Sequence, residues 1–462
     1  MQSIAELIPN KRVHFVGIGG VGMSALAQLL LEQGYQVIGS DIKKSKNTAR
    51  LEALGAIIFF SHQAQNLKEV DLVVYSSCIQ EDNPEMLAAK QKNIKIIKRG
   101  LLLCFLMQGK KGIAVAGAHG KTTTTSLISL LLKTAGMNPS YAIGADVDAL
   151  GGNASHGMGE YFVAEADESD GSFLCLNPDY AVITNIDKEH LDFYENMEHI
   201  IKTYAEFIAN LDPQGILFCY GEDPNIDKAL KAYKGKLVTY GFSDKCDVRA
   251  VNTQFSDMQS EFECVYRNEI RMKFKLSVPG QHNILNALAC IAVGIKLGVD
   301  FDIIEKALLE FKGAKRRFEV KSKNNRVIIV DDYAHHPTEI IATLLAAKSW
   351  KNRRVIGVFQ PHRYSRTKFL KAEFAHCFDN ADHIVITDIY AASEKPIKGI
   401  AARTIYDQVK KSGHKNVFFS PRNELKEHLM ATVQDGDLLM ILGAGDINDL
   451  SDELSDNFSK TL

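Results

Sequence analysis

Short apolar runs that close on glycine, serine or charged residues recur along the chain, and longer stretches of helical character separate them. Residues 13–16 read as a strand that breaks at Gly17, followed by a helix that runs to Gln33 and is ended by Gly34; glycine accepts the left-handed turn after a helix. A second strand at 35–39 closes on Asp41, and strand-like runs return at 56–60, 72–75 and 94–97. Next comes 113–116, which breaks at Gly117 and Gly120 before Lys121 and four threonines open an amphipathic helix over 126–133. Apolar strands beginning at Tyr161 and Tyr180 both run into charged clusters. The first is followed by Glu165, Asp167, Glu168 and Asp170, the second by Asp187, Glu189, His190 and Asp192. In the last third, 312–318 reads as a linker and the strand from Val327 ends in Asp331 and Asp332. Pro337 then opens a helix, and strands at 355–359, 383–387 and 438–442 follow. Strand and helix alternating in this way predict parallel α/β sheets, with the tail forming a third such unit.

A chain of 462 residues is too long for one core and implies several domains. Hydrophobic content of 46% and charged content of 24% are those of soluble globular protein. The net charge of −2 supplies no global field for nucleic acid, so an anionic ligand must be met by local Arg and Lys. The Lys43, Lys44, Lys46 cluster reads as a solvated loop. Eight cysteines without a CxxC or ligand-like spacing point to a reducing cytosol with buried thiols, not disulfides or zinc. The N-terminus has neither the charged nor the apolar region of a signal peptide, and the longest apolar run, 101–107, is too short to insert in a membrane. A cytoplasmic protein is expected.

The stretch from Gly117 to Thr122 carries the most specific chemistry. In a strand, glycine turn, Lys-Thr, helix arrangement, backbone N–H groups and the helix dipole meet nucleotide phosphates. The lysine adds a point charge, and the first hydroxyl can hold Mg²⁺. Val115 stands where the longer P-loop has glycine, leaving a tighter Gly-x-x-Gly-Lys-Thr. The carboxylates from Glu165 to Asp170 suit Mg²⁺, because hard cations take oxygen ligands; the alternative is an acidic solvated turn. His190 reads as a metal ligand, a base or a surface histidine.

Gly17, Gly19 and Gly22 fit G-x-G-x-x-G with Asp41 about twenty residues on, the fingerprint of a diphosphate on a helix N-terminus and a carboxylate near a ribose. The motif does not say which nucleotide. Ser76 and Ser77 follow a strand, where open sheets bind ligands, and read equally as turn residues. Asn283 and Asn286 carry amides able to read an adenine edge, though helix capping also explains Asn283. Arg316 and Arg317 suit a γ-phosphate. His335 and His336 are adjacent and point apart on any regular element, which argues against a shared zinc. Arg363 and Arg366 share a face if a helix begins there, and two guanidiniums suit a carboxylate or phosphate. A dehydrogenase would use the first glycine loop alone, and a nucleotide sensor would leave Tyr333, His335, Arg363 and Arg366 without a role. An ATP-driven ligase uses every group.

Taken together, these motifs resemble the Mur ligases of peptidoglycan synthesis over essentially the whole length. The matching stretches are 14–24, 117–125, 165–170, 184–186 with His190, 280–283, 316–318, 331–339 and 359–366. The resemblance implies three α/β domains: a Rossmann-like UDP-sugar domain at 1–107, a central P-loop-type ATPase domain with a mostly parallel sheet at 108–316, and a C-terminal Rossmann-like domain for amino acid and nucleotide at 317–462. The expected reaction joins L-alanine to the lactyl carboxylate of UDP-N-acetylmuramate through an acyl phosphate, at the expense of ATP and with two Mg²⁺. The 168–173 stretch looks like the alanine-adding pattern; the alternatives are a recycling ligase that adds a preformed tripeptide to the same sugar nucleotide, or an NAD-dependent Rossmann dehydrogenase.

By the same resemblance, Gly17, Gly19, Gly20, Gly22 and Met23 would meet UDP, with Asp41, His62, Ser76, Asn83 and Arg99 as further contacts. Gly117, Ala118, His119, Gly120, Lys121, Thr122 and Thr123 would hold ATP phosphates, with Asn286 on adenine and Arg317 and Asp332 on the nucleotide. Thr122 and Glu165 would bind one Mg²⁺ and His190 a second. Tyr333, His335, Arg363 and Arg366 would position the muramate carboxylate and the amino acid, with His335 orienting or deprotonating the amine. A monomer or weak homodimer is expected. Two positions depart from the family pattern: Ala118 stands for the usual Thr, which removes a hydroxyl but not the backbone cradle, and Leu442 precedes Gly-Ala-Gly where the family is more polar.

Overall fold

A computed structural model describes residues 3–323 and 327–460. The chain forms two compact units, one of Met1–Asp187, Met197–Arg249 and Leu288–Ala307, the other of Lys188–Asn196, Ala250–Ala287 and Leu308–Leu462.

The first unit contains the two glycine loops on separate sheets. Five parallel strands of the N-terminal sheet lie in the order Ile57–Phe59, Gln36–Ser40, Arg12–Val16, Leu72–Tyr75, Lys95–Lys98. The order reverses beside Arg12–Val16, so Gly17 leaves the sheet at the switch point where open α/β sheets take ligands. Val13, Phe15 and Val16 are fully buried there. In this unit, seven neighbouring strands of a larger second sheet run Lys236–Gly241, Ile216–Tyr220, Tyr180–Ile183, Lys111–Ala116, Tyr161–Glu165, Ser140–Val147, Gly152–Ser155. All neighbours are parallel except the last pair. Lys111–Ala116 is therefore central, and its register sets Val115 opposite Glu165 and Ala116 opposite Ile183.

The helix after the Gly117 loop differs from expectation in two ways. It begins at Lys121 and runs to Thr134, and every residue from Thr122 to Leu132 is buried, so it is not amphipathic. Three of its polar residues are satisfied within the helix: the Thr125, Ser126 and Ser129 hydroxyls donate to the carbonyls four residues back at 2.8, 2.6 and 2.7 Å. Side chains that bond their own backbone can be buried at little cost. The strand that begins at Tyr180 ends at Ile183, because Thr184 and Asn185 turn to the loop beside them.

In the second unit, six strands lie in the order Glu319–Lys323, Ile328–Asp332, Leu438–Leu442, Val355–Phe359, His383–Ile386, Val417–Phe419. Only the Glu319–Lys323 edge is antiparallel. The sequence reading passed over an antiparallel hairpin, Gln259–Tyr266 with Ile270–Leu276, whose Phe262, Cys264 and Phe274 are buried. Among the described residues, no helix is long and apolar enough to cross a membrane.

The cysteines require a correction. Cys104, in the Arg99–Met107 helix, and Cys175, at the end of the Ser172–Cys175 turn, form a disulfide with Cα atoms 6.3 Å apart, where only free thiols were expected. No local spacing announces a bridge across 71 residues. It arises because Gly100 lets the helix approach Ser172, whose side chain a Cβ at 100 would overlap. Cys219, Cys246, Cys264, Cys290 and Cys377 are buried thiols as expected, but Cys78 is exposed. Unreduced, denatured protein should titrate six thiols with a chromogenic disulfide and eight after reduction; eight before reduction would contradict the bridge. Closing a loop of this length stabilises by about 4 kcal/mol, so Cys104→Ser should melt well below wild type.

Candidate functional site

In the first unit, the strand register brings the Gly117 loop and the Glu165 cluster together. Gly117 and Gly120 have φ of +136° and +83°. A Cβ on Gly117 would collide with the Thr184 hydroxyl and lie 3.1 Å from the Asn185 backbone, so only glycine fits. The Asn185 side chain accepts from the His119 N–H at 2.9 Å, and the His119 ring meets Asp187 at 2.9 Å. Lys121 Nζ donates to the Gly117 carbonyl at 2.5 Å, to Ala118 at 3.3 Å and to Glu168 Oε1 at 2.8 Å. Burial alone would lower its pKa, but Glu168, Glu165 and Asp167 outweigh burial and keep the ammonium charged. The Thr122 hydroxyl donates to both Glu165 oxygens at 3.0 and 3.1 Å, and the Gly144 N–H holds that carboxylate at 2.8 Å. A hydroxyl and a carboxylate converging in this way fit a hard cation such as Mg²⁺. Thr123 is buried in the helix's first turn.

At the first glycine loop, Gly17 has φ +81° and lies against Ser76 and Ile79. Asp41 is taken up by the loop itself, accepting from the N–H groups of Gly19, Ile42 and Lys43 at 2.8, 2.7 and 3.2 Å. Gly20 caps the Val21–Glu32 helix, in which Met23 is buried. Asn83 caps the Pro84–Gln91 helix, its Oδ1 accepting from the Glu85 N–H at 2.9 Å. His62 Nδ1 meets the Ser40 hydroxyl at 2.9 Å, and that hydroxyl donates to buried Glu85. Burial would raise the Glu85 pKa, but His14, Ser40 and Asn66 bring it down to about 2. Arg99 reaches Asp167 at 2.5 Å and touches Gly22.

In the second unit, Glu189 organises the charged residues. Arg366 Nη2 donates to it at 3.0 Å, and His335 Nε2 lies 3.8 Å from it. Burial would raise its pKa, but Arg366 and three histidines hold it well below the carboxylate range. Arg363, with φ +70°, caps the short Tyr364–Phe369 helix and pairs with Asp192 at 2.9 Å. The two arginines thus meet different carboxylates of the same short segment, where a shared face was expected. His335 Nδ1 bonds the Tyr333 carbonyl at 2.9 Å; burial and Arg366 push its pKa down to about 4, so it is neutral at neutral pH. His336 instead accepts from the Thr338 N–H and donates to the Lys188 carbonyl at 3.1 Å, so the histidines do point apart. His190, with φ +54°, follows Glu189 directly.

Also in the second unit, the Tyr333 ring lies under the Arg316 and Arg317 guanidiniums at 5.1 and 4.9 Å. Arg316 donates to the Gly443 and Gly445 carbonyls at 2.6 and 3.1 Å. Asp332 accepts from the Phe318 and Ala334 N–H groups at 2.7 Å each. Asn286 is buried and donates to Asn283 at 3.2 Å. Burial raises Asp331 to about 7 and Asp332 to about 6, against the pull of Arg316 and Arg317 respectively.

Comparison with known proteins reads this arrangement. Three family models tile the chain: "Mur ligase family, catalytic domain" over residues 12–111, "Mur ligase middle domain" over 115–294, and "Mur ligase, glutamate ligase domain" over 316–445. The chain belongs to the Mur ligase family. Among its relatives, the UDP-N-acetylmuramate–L-alanine ligase of Trichlorobacter lovleyi is 47% identical over 440 residues, covering 95% of this chain and 96% of that one. The same-named protein of Carboxydothermus hydrogenoformans is 47% identical over 444 residues, 96% of each. The structure of a UDP-N-acetylmuramate–alanine ligase from Thermotoga maritima matches with a TM-score of 0.84 and 32% identity over 98% of this chain and all of that one. A murein peptide ligase from Psychrobacter arcticus shares the Mur ligase fold, with a TM-score of 0.73 at 23% identity over 97% and 99% of the two chains.

The sequence reading left Glu168, Asp167 and Glu189 without individual roles. Each sits in a run of acids; Glu168 and Glu189 are set apart by burial beside Lys121 and Arg366, and half-buried Asp167 by its pairing with Arg99. A pH test follows from Asp331. Its folded pKa is raised, so the stability it contributes is full below about 4 and is lost as pH rises towards about 7. Asp331→Asn removes that loss, and its melting temperature should gain on wild type between pH 4.5 and 7.5. A gap independent of pH would contradict the raised pKa.

Proposed function

We propose that this Mur ligase joins L-alanine to the lactyl carboxylate of UDP-N-acetylmuramate, forming an acyl phosphate from ATP and releasing ADP and phosphate. The observation that carries the reading is the Gly117–Thr122 loop with Lys121 on Glu168 and Thr122 on Glu165, in a chain 47% identical to proteins of that name. A dehydrogenase would leave this loop idle. The tripeptide-adding alternative has for support a solved ligase of that kind at 27% identity over 66% of this chain, against 47% over 95% for the L-alanine ligase.

The carboxylate of the sugar nucleotide is a poor acyl donor, because its oxygen does not leave. One of its oxygens attacks the ATP γ-phosphorus, ADP departs, and the oxygen becomes part of a phosphate leaving group. Lys121 gives up its hold on the loop carbonyls to meet the transferring phosphoryl, whose charge spreads over three oxygens. Thr122 and Glu165 would hold one Mg²⁺ and His190 a second, supplying further positive charge to the phosphates. The backbone N–H groups from Gly120 to Thr123 cradle the phosphates, while those of Ala118 and His119 are held by Asn185 and shape the loop, with the His119 ring on Asp187. Asn286 meets adenine, and Arg317 and Asp332 meet the nucleotide.

Neutral L-alanine then attacks the acyl carbon, and phosphate leaves from the tetrahedral intermediate. His335 is unprotonated at neutral pH and can accept a hydrogen bond that orients the amine, whose proton passes on to solvent because so weak a base does not hold it, while Tyr333, Arg363 and Arg366 orient the two carboxylates. Gly17, Gly19, Gly20, Gly22 and Met23, with His62, Ser76, Asn83 and Arg99, hold the UDP half, and Asp41 shapes that loop. These roles divide the chain at about residues 107 and 316 into sugar-nucleotide, ATP and amino-acid domains. A cytoplasmic monomer or weak homodimer would suit soluble substrates.

Phosphate release with ATP, Mg²⁺ and UDP-N-acetylmuramate should require L-alanine; release with the tripeptide alone would change the pathway. Lys121→Ala should lower kcat by about a thousandfold or more while a titration still shows UDP-N-acetylmuramate binding. Loss of that binding would contradict the division of labour.

A further inference from the structure

The acidic loop after Tyr161–Glu165 serves two loops at once. Glu165 and Glu168 turn to Thr122 and Lys121. Asp167, between them, turns the other way and takes Arg99 Nη2 at 2.5 Å. Arg99 opens the Arg99–Met107 helix directly after the last strand of the N-terminal sheet. Its other terminal nitrogen, Nη1, packs so tightly on Gly22 that a Cβ there would overlap it. Gly22 belongs to the first turn of the Val21–Glu32 helix.

A guanidinium at the positive end of a helix dipole is electrostatically misplaced by itself. It becomes favourable when an anion lies between the two, since both then point at the same negative charge. Something must keep Arg99 there beforehand. Asp167 does so, and its own carboxylate is fixed by the Ser169 N–H at 3.0 Å. Arg99 and Asp167 are both mostly buried, so the pair is held in one geometry.

We propose that Asp167 is a positioning residue for the sugar nucleotide: it holds Arg99 against Gly22, so that guanidinium and helix N-terminus together receive the diphosphate. The proposal rests on the reading that UDP binds at the Gly17–Gly22 loop. Asp167 makes no contact with the ligand and acts through Arg99.

The test compares binding of UDP-N-acetylmuramate, UDP, UMP and a non-hydrolysable ATP analogue to wild type, Asp167→Asn, Arg99→Lys and Gly22→Ala by calorimetry. Losing one well-placed charge-assisted contact should weaken UDP-N-acetylmuramate and UDP by about tenfold or more in Asp167→Asn and Arg99→Lys. UMP, with one phosphate fewer, should weaken by less than about threefold. The ATP analogue should be unaffected in Arg99→Lys, and in Asp167→Asn, whose charge also supports Lys121, it should weaken less than UDP does. In turnover, KM for the sugar nucleotide should rise more than kcat falls. UDP binding intact in Asp167→Asn but lost in Gly22→Ala would overturn the positioning role and leave the UDP site standing. UDP binding intact in Gly22→Ala would overturn the UDP site itself. Equal losses for UDP, UMP and the ATP analogue would mean general damage and overturn the proposal, with Arg99→Lys, which keeps the charge, as the check on folding.

Discussion

A buried ammonium needs a counter-charge, and the pairing of Lys121 with Glu168 supplies it. That one interaction determines much around it. Lys121 can be buried at the mouth of the central sheet only because Glu165, Asp167 and Glu168 leave the neighbouring strand at the same level. Those carboxylates tolerate burial only because Lys121, Thr122 and Arg99 answer them. The loop is thus assembled before any phosphate arrives, which is what electrostatic preorganisation requires. The lysine's present partners, two loop carbonyls and a carboxylate, are those an incoming phosphate would replace.

The same logic organises the second unit around Glu189. Its carboxylate, buried among Arg366, His335 and His336, stays ionised because Arg366 is beside it. In turn it keeps Arg366 charged, while His335 remains neutral because burial and the guanidinium both oppose its protonation. Around one carboxylate stand an arginine that can grip an anion and a neutral histidine that can accept a hydrogen bond.

Much of this was legible in the sequence. Glycine loops after apolar strands marked the two strand–turn–helix loops and the α/β class, because a strand, a φ-positive turn and a helix leave a local signature. What was not legible depended on packing between distant segments. The Lys121–Thr134 helix looked amphipathic because its threonines and serines count as polar, yet those from Thr122 to Ser129 are buried, and Thr125, Ser126 and Ser129 bond the helix's own backbone. Asp41, a ribose contact by spacing, also ties up the N–H of Gly19, a bond that spacing does not show. Arg363 and Arg366 looked like a pair, but the chain's left-handed turn at 363 sends them to Asp192 and Glu189. The Cys104–Cys175 bridge depends on the close approach at Gly100, which no count of cysteines reveals.

The central claim is that the Lys121 loop transfers phosphate to a carboxylate and not to water. The most direct measurement uses UDP-N-acetylmuramate labelled with ¹⁸O in its lactyl carboxylate, with mass analysis of the phosphate released during L-alanine-dependent turnover. An acyl phosphate hands one carboxylate oxygen to each departing phosphate, so one ¹⁸O per phosphate is the predicted result. Unlabelled phosphate accompanying product would mean that ATP is cleaved by another route, and the account of this site would be wrong.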